Sequence, residues 1–172
     1  MSTLVILCGE PYAGKTTLGQ ALIQKFGYAS VDVDVTKERL YGLGLEDEDL
    51  THDQWVGIYE QTDQQIADYL QAGHHVVDDS RNFRKFERVH AKAIADGCQA
   101  HFVTIYVNTP EAILRQRLHD NRRHPTRHDL PDQEFEHLLT LFEPPTEDEQ
   151  PLVFPCGESL DEWMDRHAAE LA

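Results

Sequence analysis

At 172 residues, 40% of them hydrophobic, the chain is long enough for one core of ordinary size and short for two, so residues 1–172 are expected to form a single domain. A formal net charge of -16 opposes nonspecific binding to nucleic acid or anionic membrane, because phosphate-rich surfaces demand a basic face. Short apolar runs, an N-terminus without a basic signal region, and three cysteines with no C-x-x-C argue for a cytoplasmic protein with no membrane span, disulfide frame or zinc ribbon, Cys8, Cys98 and Cys156 serving as small core residues.

The first expected strand is the apolar run "TLVILC" (3–8), which leads through "GEPYAGKTT" into the helical pattern "LGQALIQKFG". Gly9, Gly14, Lys15 and Thr16 are spaced as G-x-x-x-x-G-K-T, the P-loop pattern. Its glycines let the backbone curl so that successive N–H groups face an anion at a helix N-terminus, where the helix dipole also favours negative charge. Lys15 is expected to reach the β- and γ-phosphates of ATP and the Thr16 hydroxyl to bind Mg²⁺, with Gly9, Ala13, Gly14 and Thr17 in the nucleotide cradle.

Further strands are expected at 29–33, 74–79, 101–107 and 152–155, alternating with helical patterns, which points to parallel βα units around a covered sheet. Thr51 with Gln54 spells a capping box, followed by a stripe of Trp55, Ile58, Tyr59, Thr62, Ile66, Tyr69 and Leu70 that ends at Gly73. A second helical stripe runs through Phe83, Phe86, Val89, Ala93 and Ile94 to Gly97. Thr109 is a cap with Pro110 at the first helical position, and Ser159 with Glu162 opens a C-terminal helix. The acidic stretches 46–49 and 146–149 read as solvated loops.

Ligands of open α/β sheets bind beyond the carboxyl ends of the strands, and there the chain is polar. Asp32 and Asp34 share one side if the second strand is still extended; they suit Mg²⁺ and an acceptor hydroxyl, Asp34 being alternatively a helix cap. After the third strand, Asp78 or Asp79 is the carboxylate that supports Mg²⁺, or else a turn residue. Basic residues gather in two segments, Arg81, Arg84, Lys85, Arg88 and Lys92, then Arg115, Arg117, Arg122, Arg123 and Arg127; each is a solvated helix face or a phosphate-handling surface. A lid at about 119–131, broken by Pro125 and Pro131, would bring Arg122 and Arg123 to the transferred group, Arg117 to the nucleotide, and Arg127, with Arg84 and Arg88 from the other segment, to the acceptor. His119, His124 and His128 lie in the same lid but match no recognised metal spacing.

G-x-x-x-x-G-K-T-T, "VDVD", "DDS", "NTPEAILRQRL" and the arginine-rich lid together resemble the small P-loop kinases of the AAA-type ATP-binding group, over nearly the whole chain. These include gluconate and shikimate kinases, chloramphenicol phosphotransferase, the kinase domain of phage polynucleotide kinase and the zeta toxins. The resemblance implies a nucleoside-monophosphate-kinase-like α/β three-layer sandwich with a five-stranded parallel sheet in the order 2-3-1-4-5 and a lid. It also implies that Asp32 and Asp34 match the acidic pair that holds Mg²⁺ and the acceptor in sugar and shikimate kinases. "RRHP" matches neither the gluconate nor the shikimate kinase lid motif, so no acceptor carries over. The expected function is transfer of the γ-phosphoryl group of ATP to a hydroxyl of a small molecule; a polynucleotide 5′-hydroxyl kinase or tRNA-associated ATPase, and a nucleotide-binding switch with little chemistry, are the alternatives.

Overall fold

The structure, a computed structural model, describes residues 1–80, 82–127 and 129–172. Strands β1 (Thr3–Cys8), β2 (Ala29–Val31), β3 (Val76–Asp78), β4 (His101–Asn108) and β5 (Leu152–Pro155) form one parallel sheet in the order β2-β3-β1-β4-β5. This is the order and sense that the resemblance implied. β1 lies at the centre between β3 and β4, and all six of its residues are buried. A parallel strand covered on both faces reads as an unbroken apolar run, which is why "TLVILC" shows no polar alternation.

Alternation along β1 divides the core into two layers. Leu4 and Ile6 pack with Ile66 and Leu70 of α3 (His52–Gln71) and with Ala91 and Ala95 of α4 (Lys85–Gly97). Val5 and Leu7 pack with Leu18 and Leu22 of α1 (Lys15–Phe26), Leu114 and Leu118 of α5 (Glu111–Arg123), Phe135 of α6 (Asp132–Leu141) and Trp163 of α7 (Leu160–Arg166). The result is a three-layer sandwich. Each of the four central β1 side chains is 0% exposed, and such burial contributes roughly 1.5–3 kcal/mol per large aliphatic residue. Among the described residues α2 (Val33–Tyr41) and α8 (Ala168–Leu171) complete the α-helices, and 3-10 turns lie at Asp47–Asp49 and Glu147–Glu149. Among the described residues no helix is long and apolar enough to cross a membrane.

Several elements differ from the sequence expectation for identifiable reasons. β2 stops at Val31 because Asp32 caps α2, its Oδ1 accepting the Asp34 N–H at 2.7 Å. Asp32 and Asp34 therefore stand at a helix start and not on one side of a strand, and the cap is Asp32 instead of Asp34. β3 is confined to Val76–Asp78. The Thr51 capping box forms as its spacing predicts, with Gln54 N donating to Thr51 Oγ1 at 3.3 Å and Thr51 N donating to Gln54 Oε1 at 2.8 Å. Its helix buries Ile58, Thr62, Ile66 and Leu70 but leaves Tyr59 40% exposed.

The face of α4 is rotated from the expected one. Phe86 and Val89 are 65% and 57% exposed, while Arg88, Ala91 and Ala95 face the core. An arginine can hold that position because Glu149 meets it: Arg88 Nε and Nη2 donate to the two Glu149 carboxylate oxygens at 2.6 and 3.1 Å. Asp148 accepts from Lys85 Nζ at 2.8 Å, so 146–149 is a clamp on the start of α4, not a solvated loop. In 46–49, Asp47 is drawn to Lys37 at 2.8 Å. Pro110, not Thr109, caps α5. Of the cysteines only Cys8 is a buried core residue; Cys98 is half-buried and Cys156 exposed. Since α5 runs through Arg123, residues 119–123 of the expected lid are helical and the irregular chain begins at His124.

Candidate active site

Residues 9–14 join the end of β1 to the start of α1. Gly9 lies so close to β4 that a Cβ there would sit 2.8 Å from the Val107 carbonyl oxygen, and Gly14, the N-cap of α1, has φ 110°. Close approach explains the first glycine of the motif and a left-handed backbone the second. Lys15 Nζ curls over this turn and donates to the carbonyls of Gly9 and Glu10 at 2.8 and 3.1 Å. Burial pushes the Lys15 ammonium below its ordinary pKa, and the Asp79 carboxylate opposes that shift. Two residues brace the turn from the β4–α5 side. Thr109 Oγ1 donates to Ala13 O at 2.9 Å, and Arg117 Nη1 donates to Tyr12 O and Ala13 O at 2.9 and 2.8 Å.

The turn opens onto a cleft of about 1440 Å³ at the carboxyl edge of the sheet. Ala13, Gly14, Lys15, Thr16, Thr17, Asp32, Asp34, Asp79, Arg117 and Arg127 all line it. Gly9, Asp78, Arg84, Arg88, Arg122 and Arg123 do not.

The adjacent Asp78 and Asp79 take separate roles. Asp78 is 1% exposed and accepts from Ser80 N and Oγ at 3.2 and 2.9 Å and from Asn82 Nδ2 at 3.2 Å, so its lone pairs are spent on the turn after β3. Asp79 faces the cleft with a buried Oδ1 that has no hydrogen-bond partner. Burial raises its pKa to about 6, against the Thr16 hydroxyl and the Lys15 ammonium, which both lower it. A desolvated carboxylate beside a hydroxyl and a glycine turn is a donor set that fits a divalent cation such as Mg²⁺, which takes few protein ligands and completes its shell with phosphate and water. Burial also raises the pKa of Asp32, with the neighbouring Asp34 N–H acting against it. Asp34 projects from the first turn of α2, its side chain 73% exposed and 3.9 Å from Lys37 Nζ.

Among the described arginines of the two basic segments, Arg88, Arg115 and Arg122 are spent on carboxylates. Arg88, 2% exposed, is locked to Glu149 and also donates to Asn82 O at 3.2 Å, which removes it from acceptor binding. Arg84 sits at the N-cap of α4. Arg122 donates to Asp129, Asp132 and Leu130 O at 3.0, 2.7 and 2.7 Å, and Arg123 is exposed in the last turn of α5. Neither lines the cleft, so the expectation that they handle the transferred group is not met in this conformation. Arg127 does line it, its guanidinium 4.5 Å from the Tyr12 ring centroid. Arg81 and His128 lie outside the described residues. Among those residues no three His, Cys, Asp or Glu side chains converge as a metal cluster.

Tyr12, Asn121 and Thr109 are among the cleft residues that escaped the sequence reading. Tyr12 is one of the variable letters of the loop motif, Asn121 an unremarkable polar residue near the end of α5, and Thr109 read as a cap. Only tertiary contact marks them.

A family model described as an AAA domain matches residues 4–145. No match was found among curated proteins. Among solved structures, a protein from Chloroflexus aurantiacus j-10-fl is similar at 21% identity, covering 99% of each chain with a TM-score of 0.75. Kti12 of Chaetomium thermophilum, solved with ADP-AlF3, is similar at 14% identity, covering 98% of this chain and 99% of its own, TM-score 0.69. A gluconokinase from Sinorhizobium meliloti 1021 is similar at 19% identity, covering 99% and 91%, TM-score 0.64. At these identities the likeness speaks for the fold, which is that of the small P-loop kinases.

Proposed function

Because this chain belongs to the AAA domain family, we propose that it is an ATP-dependent phosphotransferase that moves the γ-phosphoryl group to a hydroxyl of a small molecule. One observation carries the reading: the turn bearing Lys15 and Thr16 shares a single cleft with Asp32, Asp34 and Asp79. A nucleotide-binding switch needs the first half of that arrangement and has no use for an exposed carboxylate in the same cleft. The gluconokinase likeness is in keeping with a small acceptor.

In this reading backbone N–H groups of the glycine turn, to which Pro11 contributes none, and of the start of α1 receive the phosphates, and the Lys15 ammonium exchanges two carbonyls for phosphate oxygens. Thr16, Asp79 and Asp32 would hold Mg²⁺, which when bound would neutralise phosphate charge. Asp34 accepts the acceptor's hydroxyl proton and orients its oxygen toward the phosphorus. Arg117 keeps the loop in shape through the Tyr12 and Ala13 carbonyls.

The polynucleotide alternative needs free basic residues, and the described ones are largely paired. Lys85, Arg88, Lys92, Arg115 and Arg122 each contact a carboxylate. A phosphate backbone would have to displace those partners.

The nucleotide half of the proposal is tested by melting. MgATP is expected to raise the melting temperature, since a ligand that binds only the native state stabilises it by mass action. Lys15→Ala should lose most of that shift; equal shifts in both proteins would move the nucleotide elsewhere. The chemical half is tested by transfer from γ-labelled ATP across sugars, antibiotics, nucleosides and oligonucleotide 5′-hydroxyls. Lid closure has its own measurement. Residues 124–131, the part of the expected 119–131 lid beyond α5, are expected to gain amide protection, least at the Thr126 and Arg127 amides that Asn121 already holds, when a nonhydrolysable ATP analogue, Mg²⁺ and an accepted hydroxyl compound are added. Unchanged exchange there would mean that this segment is no lid.

A further inference from the structure

Tyr12 sits inside the phosphate turn with φ 66° and is 7% exposed. One edge of its ring packs against Phe135, centroids 6.3 Å apart at 63°. Above the ring lies the Arg127 guanidinium, 4.5 Å from the centroid, within the range of a cation–π contact. Its hydroxyl is buried and has no hydrogen-bond partner. The ring, not the hydroxyl, is therefore the part in use.

The other end of Arg127 is fixed independently. Asn121, 6% exposed at the close of α5, accepts from the backbone N–H groups of Thr126 and Arg127 at 3.0 and 3.2 Å and donates through Nδ2 to Arg127 O at 3.1 Å. One buried amide thus folds residues 126–127 back onto the helix that carries it. Arg122 is held away by Asp129 and Asp132. Arg127 is left as the described lid arginine whose guanidinium stands over the loop, and its charge is felt at Lys15, where it lowers the ammonium's pKa alongside burial.

We propose that Tyr12 and Asn121 are positioning residues: Asn121 fixes the backbone of Arg127 and the Tyr12 ring fixes its guanidinium, so that Arg127 is aimed at the γ-phosphoryl position before substrates arrive. This rests on the kinase reading above. Its physical sense is preorganisation. A long side chain on an irregular loop loses rotamer freedom when it is recruited, and a cation already seated over the loop has undergone that loss beforehand.

The test compares affinity for MgADP with affinity for MgADP plus aluminium fluoride, a planar mimic of the transferring group, by titration calorimetry. Wild type is expected to bind the fluoride complex more tightly, and Arg127→Ala to lose roughly a hundredfold of that gain, the scale for one donor aimed at developing charge. Tyr12→Leu should lose about tenfold of it through the missing ring face, with Tyr12→Phe keeping it. Placed on Arg127→Ala, Tyr12→Leu should cost nothing further, because the two act as one unit. Should Tyr12→Leu fail to fold, Asn121→Ala carries the same comparison. A full fluoride gain in Tyr12→Leu or Asn121→Ala would overturn the proposal, as would an equal further loss on the Arg127→Ala background. Wild type that binds MgADP with no fluoride gain refutes this inference alone, whereas wild type that binds no MgADP refutes the kinase reading itself.

Discussion

Asp34→Asn should leave MgATP binding in place and lower phosphoryl transfer by roughly two to four powers of ten, the scale of a general base. The expectation comes from placement: Asp34 lines the cleft from the first turn of α2, its side chain 73% exposed and 3.9 Å from Lys37 Nζ. Asparagine preserves the shape and removes the proton acceptor. Asp32→Asn separates the roles of the pair. Asparagine caps a helix about as well as aspartate, so α2 survives, and a weaker Mg²⁺ dependence is the expected consequence. Titrating transfer rate against Mg²⁺ in both variants checks the division. Full activity in Asp34→Asn would remove the base assignment.

Glu149→Gln should destabilise the protein by about 3 kcal/mol, a large share of the 5–15 kcal/mol that holds an ordinary domain together. Arg88 and Glu149 side chains are 2% and 11% exposed, and the arginine has no water to turn to when its carboxylate is neutralised. Burial pushes the Glu149 pKa upward, but hydrogen bonds from Arg88 and Thr146 outweigh it and hold the carboxyl below its usual range. A depressed carboxylate stabilises the native state fully above its unfolded pKa and progressively less as pH falls through its folded value. The gap between wild type and Glu149→Gln should accordingly be widest near neutral pH and close in acid. Replacing both partners, as Arg88→Met with Glu149→Leu, should restore most of the loss. Urea unfolding of the single and double variants reads both. A single variant as stable as wild type would show that the pair is not what seats α4.

What the sequence made legible was local. The "TLVILC" run, the glycine spacing before Lys15, and the Thr51 and Gln54 pair each carry their structural cause within a few residues, and each formed. What misled had its cause elsewhere in the chain. The stripe of α4 pointed to Phe86 and Val89, but the core position belongs to Arg88 because of Glu149, 61 residues away. Asp32 and Asp34 fit both an alternating strand and a helix start; the capping contact decided for the helix. Among lid arginines of identical chemistry, the positions of Asp129, Asp132 and the Tyr12 ring distinguish Arg122 from Arg127, and no spacing rule contains that information. The Asp78 and Asp79 pair divides in the same way, through Ser80 and Asn82 on one side and Thr16 on the other.

The central claim is that Lys15 and the carboxylates of its cleft serve one reaction. The most direct measurement follows the label of γ-labelled ATP with Mg²⁺ and the panel of hydroxyl compounds, in wild type and Lys15→Ala, separating organic phosphate esters from inorganic phosphate. Wild type should place label in a small-molecule ester, with little effect of salt on the acceptor's affinity, and Lys15→Ala should place almost none. Label found only as inorganic phosphate, or transfer confined to oligonucleotide 5′-ends and weakening steeply as salt rises, would contradict it.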